Sequence, residues 1–182
     1  MQPSQLCYHL HMPLRVAEFL PLVNDRAISL LPEDLRDGVT SRISSVWLWL
    51  HYHSPKVHYE VWLARKTGRI EIGLHFEGPR EFSYRWAELI ASYMPEIQAR
   101  LGPRVELEEW TASWTRVHQT VPYDPLSEPL ADEVAGLLAQ TITVLQPIVE
   151  RERENIPPEL AARREHRPAG TRPFRHRRRR SA

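Results

Sequence analysis

Apolar and polar residues alternate along two neighbouring segments in the middle of the chain. Residues 57–65 and 69–77 place apolar side chains at every second position, which is the period of a β-strand. Thr67-Gly68 lies between the two segments and is typical of a two-residue hairpin turn. The pattern therefore predicts an antiparallel hairpin with one apolar face. On the opposite face this register pairs Glu60 with His75, His58 with Glu77, and Trp62 with Gly73.

A second hairpin is predicted farther along the chain. Residues 104–110 and 114–121 flank a short Thr-Ala-Ser segment, and their alternation places Trp110 opposite Trp114. The polar face of this hairpin receives two further cross-strand pairs, Glu108 with Arg116 and Glu106 with His118.

The remaining apolar residues recur at the spacing of helices. A stripe from Phe82 to Leu101 predicts an amphipathic helix that Pro95 kinks or splits. A long last helix is predicted after Ser127, which is a candidate N-cap. A short first helix is expected to stop near Pro21. Residues 44–53 fit a helix or a strand, and we favour a helix that begins after Pro32 and runs to about Leu50.

Together these elements predict an α+β fold. We expect a four-stranded antiparallel sheet built from the two hairpins, each followed by a helix, with helices on its apolar face. The chain then divides into an N-terminal arm with helical segments that pack on the core (1–55), a hairpin–helix–hairpin–helix core (56–154), and a disordered Arg/Pro-rich tail (155–182). No run of about 18 apolar residues and no signal-peptide pattern occurs, so we expect a cytoplasmic protein without a membrane span.

Charge is divided unevenly along the 182 residues. The net charge is +1, but the segment from Asn155 onward contains nine arginines and two acidic residues, and residues 1–154 are acidic. Such a basic tail can grip phosphates without reading sequence. The predicted nucleic-acid contacts are Arg175, Arg177, Arg178, Arg179 and Arg180.

The polar face of the predicted sheet allows three interpretations. The first is a set of solvated ion pairs. The second is a recognition surface in which three tryptophans stand among charged groups, a composition that suits a partner protein or nucleic-acid bases. Its residues are Trp62, Trp110, Trp114, Glu60, His75, Arg116 and His118. The third is a metal or acid–base site of imidazoles and carboxylates, which are ligands for zinc, manganese or iron. Its residues are His58, Glu60, His75 and Glu77.

Several other chemistries lack their motifs. The single cysteine excludes an internal disulfide and a thiolate zinc cluster. The sequence contains neither a glycine-rich phosphate loop nor a Gly-x-Ser-x-Gly nucleophile motif.

Short segments of the two hairpins and of the helix between them also carry a family resemblance. They are residues 57–63, Arg69-Ile70-Glu71-Ile72-Gly73-Leu74, residues 97–102, Leu107-Glu108-Glu109-Trp110 and Trp114-Thr115-Arg116-Val117. Over about residues 56–150 the chain resembles a small uncharacterised domain found in prokaryotes beside restriction and other DNA-processing modules. The resemblance implies an association with DNA-processing or defence systems, and it carries over no catalytic residue.

From these observations we expect a non-catalytic binding or accessory protein. It would contact a protein partner through the tryptophan-bearing face and nucleic acid through the basic tail, without a cofactor. Two alternatives stay open. One is a metal-dependent enzyme, hydrolase or nuclease-like, centred on Glu60 and His75 with a divalent ion. The other is a nucleic-acid binder that acts through the tail alone.

Overall fold

Six antiparallel strands form one sheet in the order β1-β2-β3-β4-β6-β5, and helices pack on one of its faces. The computed structural model describes residues 12–123 and 125–162. The strands are β1 (Thr40–Ile43), β2 (Trp47–His51), β3 (Val57–Ala64), β4 (Arg69–Phe76), β5 (Glu106–Glu109) and β6 (Thr115–Pro122). The helices are α1 (Val16–Leu30), α2 (Glu33–Arg36), α3 (Arg80–Ala91), α4 (Met94–Leu101), α5 (Glu128–Glu152) and α6 (Pro158–Ala162), with a 3-10 turn over Arg153–Asn155. The predicted α+β class with an antiparallel sheet is confirmed.

Strands β1 and β2 correct the expected number of strands from four to six. The helix favoured through Leu50 is wrong, because residues 47–51 alternate between half-buried and buried side chains as a strand does. Leu48 pairs with Val61 of β3, so β2 joins the first predicted hairpin. Ser44 supports the turn before β2, since its hydroxyl oxygen accepts hydrogen bonds from the backbone N–H groups of Val46 and Trp47.

The register of the β3–β4 hairpin also differs from the prediction. His58 faces His75, Glu60 faces Gly73 and Trp62 faces Glu71, a displacement of two residues. The connecting loop holds four residues, 65–68, and ends on Gly68 with a φ of 62° that favours glycine. A two-residue displacement leaves every side chain on its predicted face. The β5–β6 register is confirmed, with Glu106 opposite His118 and Glu108 opposite Arg116.

Two proline positions show where packing and local preference compete. Helix α1 continues through Pro21, against expectation, because Phe19, Leu20 and Val23 on both sides of it are fully buried. Pro95 does separate α3 from α4. Ser127 caps α5 as predicted, with its side chain accepting from the backbone N–H of Leu130.

The apolar core lies between the sheet and the helices. Alternate residues of the central strands supply its sheet side, including Val61, Ile72, Leu74 and Val117, and α5 lies across them. None of the described helices combines the length and the apolar character needed to cross a membrane. The disorder expected for the tail (155–182) is wrong for residues 158–162, which form α6. The tail contacts predicted at Arg175, Arg177, Arg178, Arg179 and Arg180 lie outside the described residues.

Candidate metal centre

Four side chains from β3, from β4 and from the residue after β4 converge on the face of the sheet opposite the helices. His58 and His75 oppose each other across the two strands. Glu60 follows His58 by two residues on β3, and Glu77 follows His75 by two residues, directly after the end of β4. Glu60 Oε2 lies 3.6 Å from both His58 Nε2 and His75 Nδ1. Glu77 Oε1 lies 3.8 Å from His58 Nε2 and 3.5 Å from His75 Nδ1. The four atoms lie within 4.8 Å of one another and so surround one point.

These four atoms are buried and lack hydrogen-bond partners. The side chains of His58 and His75 are 0% exposed, that of Glu60 is 5% exposed and that of Glu77 is 11% exposed. Among the residues that the structure describes, no hydrogen-bond partner is found for the atoms that face the central point. Their separations exceed hydrogen-bond length, which is about 2.7–3.2 Å for such pairs. Buried polar atoms normally have a partner, and all four of these atoms lack one.

The ring nitrogen of each imidazole that points away from the centre of the cluster already has a hydrogen-bond partner. His58 Nδ1 lies 2.8 Å from the carbonyl oxygen of Pro55, and a carbonyl oxygen can only accept a hydrogen bond. His75 Nε2 lies 3.0 Å from Glu71 Oε1. In the neutral imidazoles these contacts leave the lone pairs of His58 Nε2 and His75 Nδ1 facing the centre, as metal ligation requires.

A second layer of charged groups surrounds Glu71. Arg116 donates from one guanidinium nitrogen to both oxygens of Glu71, at 2.7 and 2.6 Å, and its Nε donates to Glu108 at 3.0 Å. Burial raises the pKa of Glu71, but His75 and Arg116 outweigh this effect, and the pKa is lowered overall. Glu71 is therefore an ionised acceptor whose charge Arg116 compensates.

The pKa of His75 reflects the carboxylates around it. Burial lowers this pKa, but the hydrogen bond to Glu71 and the carboxylates of Glu77 and Glu60 outweigh burial and raise it to about 9. The centre therefore attracts positive charge, which a proton on His75 supplies when no other cation is bound.

Tryptophans cover the cluster in place of a helix. The ring of Trp49 stacks on His58 at 4.3 Å, and Trp110 meets His75 edge-on at 5.0 Å. Trp47 stacks on Trp49, while Trp62 and Trp114 pack against Trp110. All five are half-buried, so these indoles exclude water from the imidazoles and carboxylates.

The predicted face residues are thus brought together. Trp62, Trp110 and Trp114 lie beside the cluster of Glu60 and His75, and Arg116 and His118 share the same face. Their role in binding a partner stays a prediction. Sequence reasoning missed Trp47 and Trp49 because their segment was assigned to a helix, although its Trp-Leu-Trp-Leu alternation was a usable signal.

A second group of possible ligands, Glu106, Glu108 and His118, is less suited to a cation. His118 Nε2 lies 2.9 Å from Glu108 Oε1, but Arg116 donates to the same oxygen. Burial and the charge of Arg116 lower the pKa of His118. The Arg116 guanidinium is therefore already bound to one of these three possible ligands.

Comparison with family models, with curated proteins and with solved structures finds no match to this chain. The resemblance to a domain found beside DNA-processing modules therefore stays a prediction. The functional argument rests on the geometry of the chain's own residues.

Proposed function

We propose that this protein binds one divalent transition-metal ion, with zinc the expected ion, in the His58–Glu60–His75–Glu77 cluster. The observation that carries the proposal is the convergence of four buried atoms without hydrogen-bond partners on one point. The ligands are His58 Nε2, Glu60 Oε2, His75 Nδ1 and Glu77 Oε1.

The spacing of the four atoms supports a small cation. With metal–ligand bonds of about 2.0–2.2 Å, atoms at the corners of a tetrahedron lie roughly 3.3–3.6 Å apart. Four of the six separations, those between an imidazole and a carboxylate, are 3.5–3.8 Å and so lie close to that range, and the other two lie within 4.8 Å. Two imidazoles with two carboxylates form a ligand set that suits zinc, with iron and manganese as competitors.

Charge balance supports a dication. Glu71 has its own cationic partner in Arg116. Within the described chain, the ion pairs recorded for Glu60 and Glu77 join them to the two imidazoles. Two carboxylates and two neutral imidazoles carry a charge of −2, which a divalent ion neutralises, and buried charges are retained when they are compensated in this way.

Four protein ligands beneath a tryptophan layer favour a closed, structural site. Catalytic zinc sites keep one position open for water or substrate. A metal-dependent hydrolase is therefore our second candidate function, because hydrolysis would require one of the two carboxylates to leave the ion.

Metal titration of the untagged full-length protein tests the proposal. After chelator treatment and desalting, we expect calorimetry with Zn²⁺ to give one equivalent, and the melting temperature to rise with free zinc because the ion binds the folded state. His58→Gln should abolish this uptake. His53→Gln is the matched control, because His53 is an exposed imidazole paired with Glu150 outside the cluster. Failure of the wild type to take up zinc, iron or manganese, or equal uptake by His58→Gln, would contradict the proposal.

A further inference from the structure

We infer that Glu71, held by Arg116, is a positioning residue that presents His75 to the metal through Nδ1. The inference rests on the proposed metal-binding function and adds a residue that does not touch the ion.

Gly73 makes the contact between Glu71 and His75 possible. The two residues lie four positions apart on β4, roughly 13 Å along the strand, and Gly73 stands between them on the same face. Because Gly73 has no side chain, the carboxylate of Glu71 and the imidazole of His75 lean toward each other over it. Their 3.0 Å hydrogen bond is buried, with side-chain exposures of 5% and 0%.

Arg116 determines which partner donates in that hydrogen bond. Its guanidinium contacts both oxygens of Glu71 and is itself only 11% exposed. Both oxygens of Glu71 thus act as acceptors toward the guanidinium, and Oε1 accepts from the imidazole in the same way, so the proton of the hydrogen bond belongs to His75 Nε2. The neutral imidazole then carries its lone pair on Nδ1, the atom that lacks a partner and faces the two carboxylates.

The two imidazoles thus use different nitrogens for the same task. His58 is oriented by the carbonyl oxygen of Pro55 and presents Nε2, whereas His75 is oriented by Glu71 and presents Nδ1. The backbone carbonyl that orients His58 cannot be removed by substitution, but the side chain of Glu71 can. The contribution of imidazole orientation to metal affinity can therefore be measured at His75. Removing such an outer partner typically lowers metal affinity by about 10–100-fold.

The test compares Glu71→Gln with Glu109→Gln in the full-length protein. Glu109 is an exposed carboxylate at the end of β5 and belongs to neither group of possible metal ligands. We expect Glu71→Gln to bind one equivalent of Zn²⁺ about 10–100-fold more weakly than the wild type, and Glu109→Gln to match the wild type. In the zinc-loaded wild type, long-range ¹H–¹⁵N spectra of the histidines should show His75 protonated at Nε2 and metal-bound at Nδ1.

The outcomes separate the two claims. No zinc uptake by the wild type would remove the proposed function and this inference with it. Uptake by the wild type with equal affinity in Glu71→Gln, or a His75 bound through Nε2, would overturn the inference and leave the metal site standing. If Glu71→Gln does not fold, Arg116→Lys serves instead, because it keeps the positive charge but loses the planar fork. It should bind zinc more weakly than the wild type, and unchanged affinity would count against the inference.

Discussion

Gly73 is the position where a single methyl group should have the largest effect on the sheet. A Cβ atom built there lies 2.5 Å from the carbonyl oxygen of Val117, 2.7 Å from His118 Cβ and 3.0 Å from His118 Cα. Ordinary contacts begin near 3.4 Å, so β4 and β6 would have to separate locally by up to about 0.9 Å. The obstructing atoms include the backbone of a strand that is paired on both sides, which leaves little room to yield.

From this geometry we expect Gly73→Ala to lower the free energy of unfolding by about 3 kcal/mol, the upper end of the usual cost of overpacking. With a urea m-value of about 2 kcal/mol/M for a domain of this size, the unfolding midpoint should fall by about 1.5 M. The same methyl would stand between Glu71 and His75, so zinc affinity should fall as well.

Urea denaturation followed by circular dichroism measures the effect, with Gly136→Ala as the matched control. Gly136 lies within α5, and a Cβ atom there meets nothing within 4 Å. Alanine should stabilise that helix by about 0.8–1 kcal/mol and raise the midpoint. Identical midpoints for Gly73→Ala and the wild type would refute the reasoning about the close approach of β4 and β6.

Three further predictions concern the helix side of the sheet. Tyr59→Phe should lower the stability of the fold by about 1–3 kcal/mol in thermal unfolding. The buried Tyr59 hydroxyl donates to Gln146 Oε1 at 2.9 Å, and that oxygen would lose its donor. A loss of stability smaller than that of Tyr52→Phe would contradict this prediction. Burial raises the pKa of Tyr52 to about 12 and that of Tyr59 well above 10. Absorbance at 295 nm measures tyrosine ionisation, and we expect it to show these two hydroxyls still protonated while exposed tyrosines ionise. Since the unfolded chain releases these protons near pH 10, the part of the stability that these two hydroxyls supply should be lost only above pH 10, and a full tyrosine titration in the folded protein at pH 10 would show otherwise. Ser127→Ala should cost about 1 kcal/mol by removing the N-cap of α5, whereas Ser127→Asp should restore it, and equal stability of all three proteins would rule the cap out.

The hairpins show how far sequence pattern could lead. Period-2 alternation assigned the side chains of both hairpins to the correct faces, and it therefore placed His58, Glu60, His75 and Glu77 together. Alternation cannot fix the register beyond a multiple of two, because a displacement of two residues preserves the faces. The length of the connecting loop decides between the two registers. In the sequence, a glycine that ends a four-residue loop, such as Gly68, cannot be distinguished from the second residue of a two-residue turn.

The burial of the site could not be predicted from the same pattern. One of the three interpretations of the polar face was a set of solvated ion pairs, but tryptophan rings cover it. These rings come from β2, which the sequence analysis assigned to a helix, and from the β5–β6 hairpin, which lies far along the chain from β3. Residues 44–53 fit both helical and strand spacing in the sequence, and pairing with β3 distinguishes the two. Tertiary packing also overrode the local effect of Pro21, which sequence alone had treated as a stop.

Two tryptophans that cover the cluster can report on its state through their fluorescence, because Trp49 stacks on His58 and Trp110 meets His75 edge-on. Indole emission responds to the charge and protonation of a ring in direct contact with it, and both imidazoles touch an indole. The sixth tryptophan, Trp86, packs against Phe76 and Phe82 in the core on the other side of the sheet, and it supplies a constant background. Occupancy of the candidate metal centre can therefore be followed through the tryptophan fluorescence of the unlabelled protein.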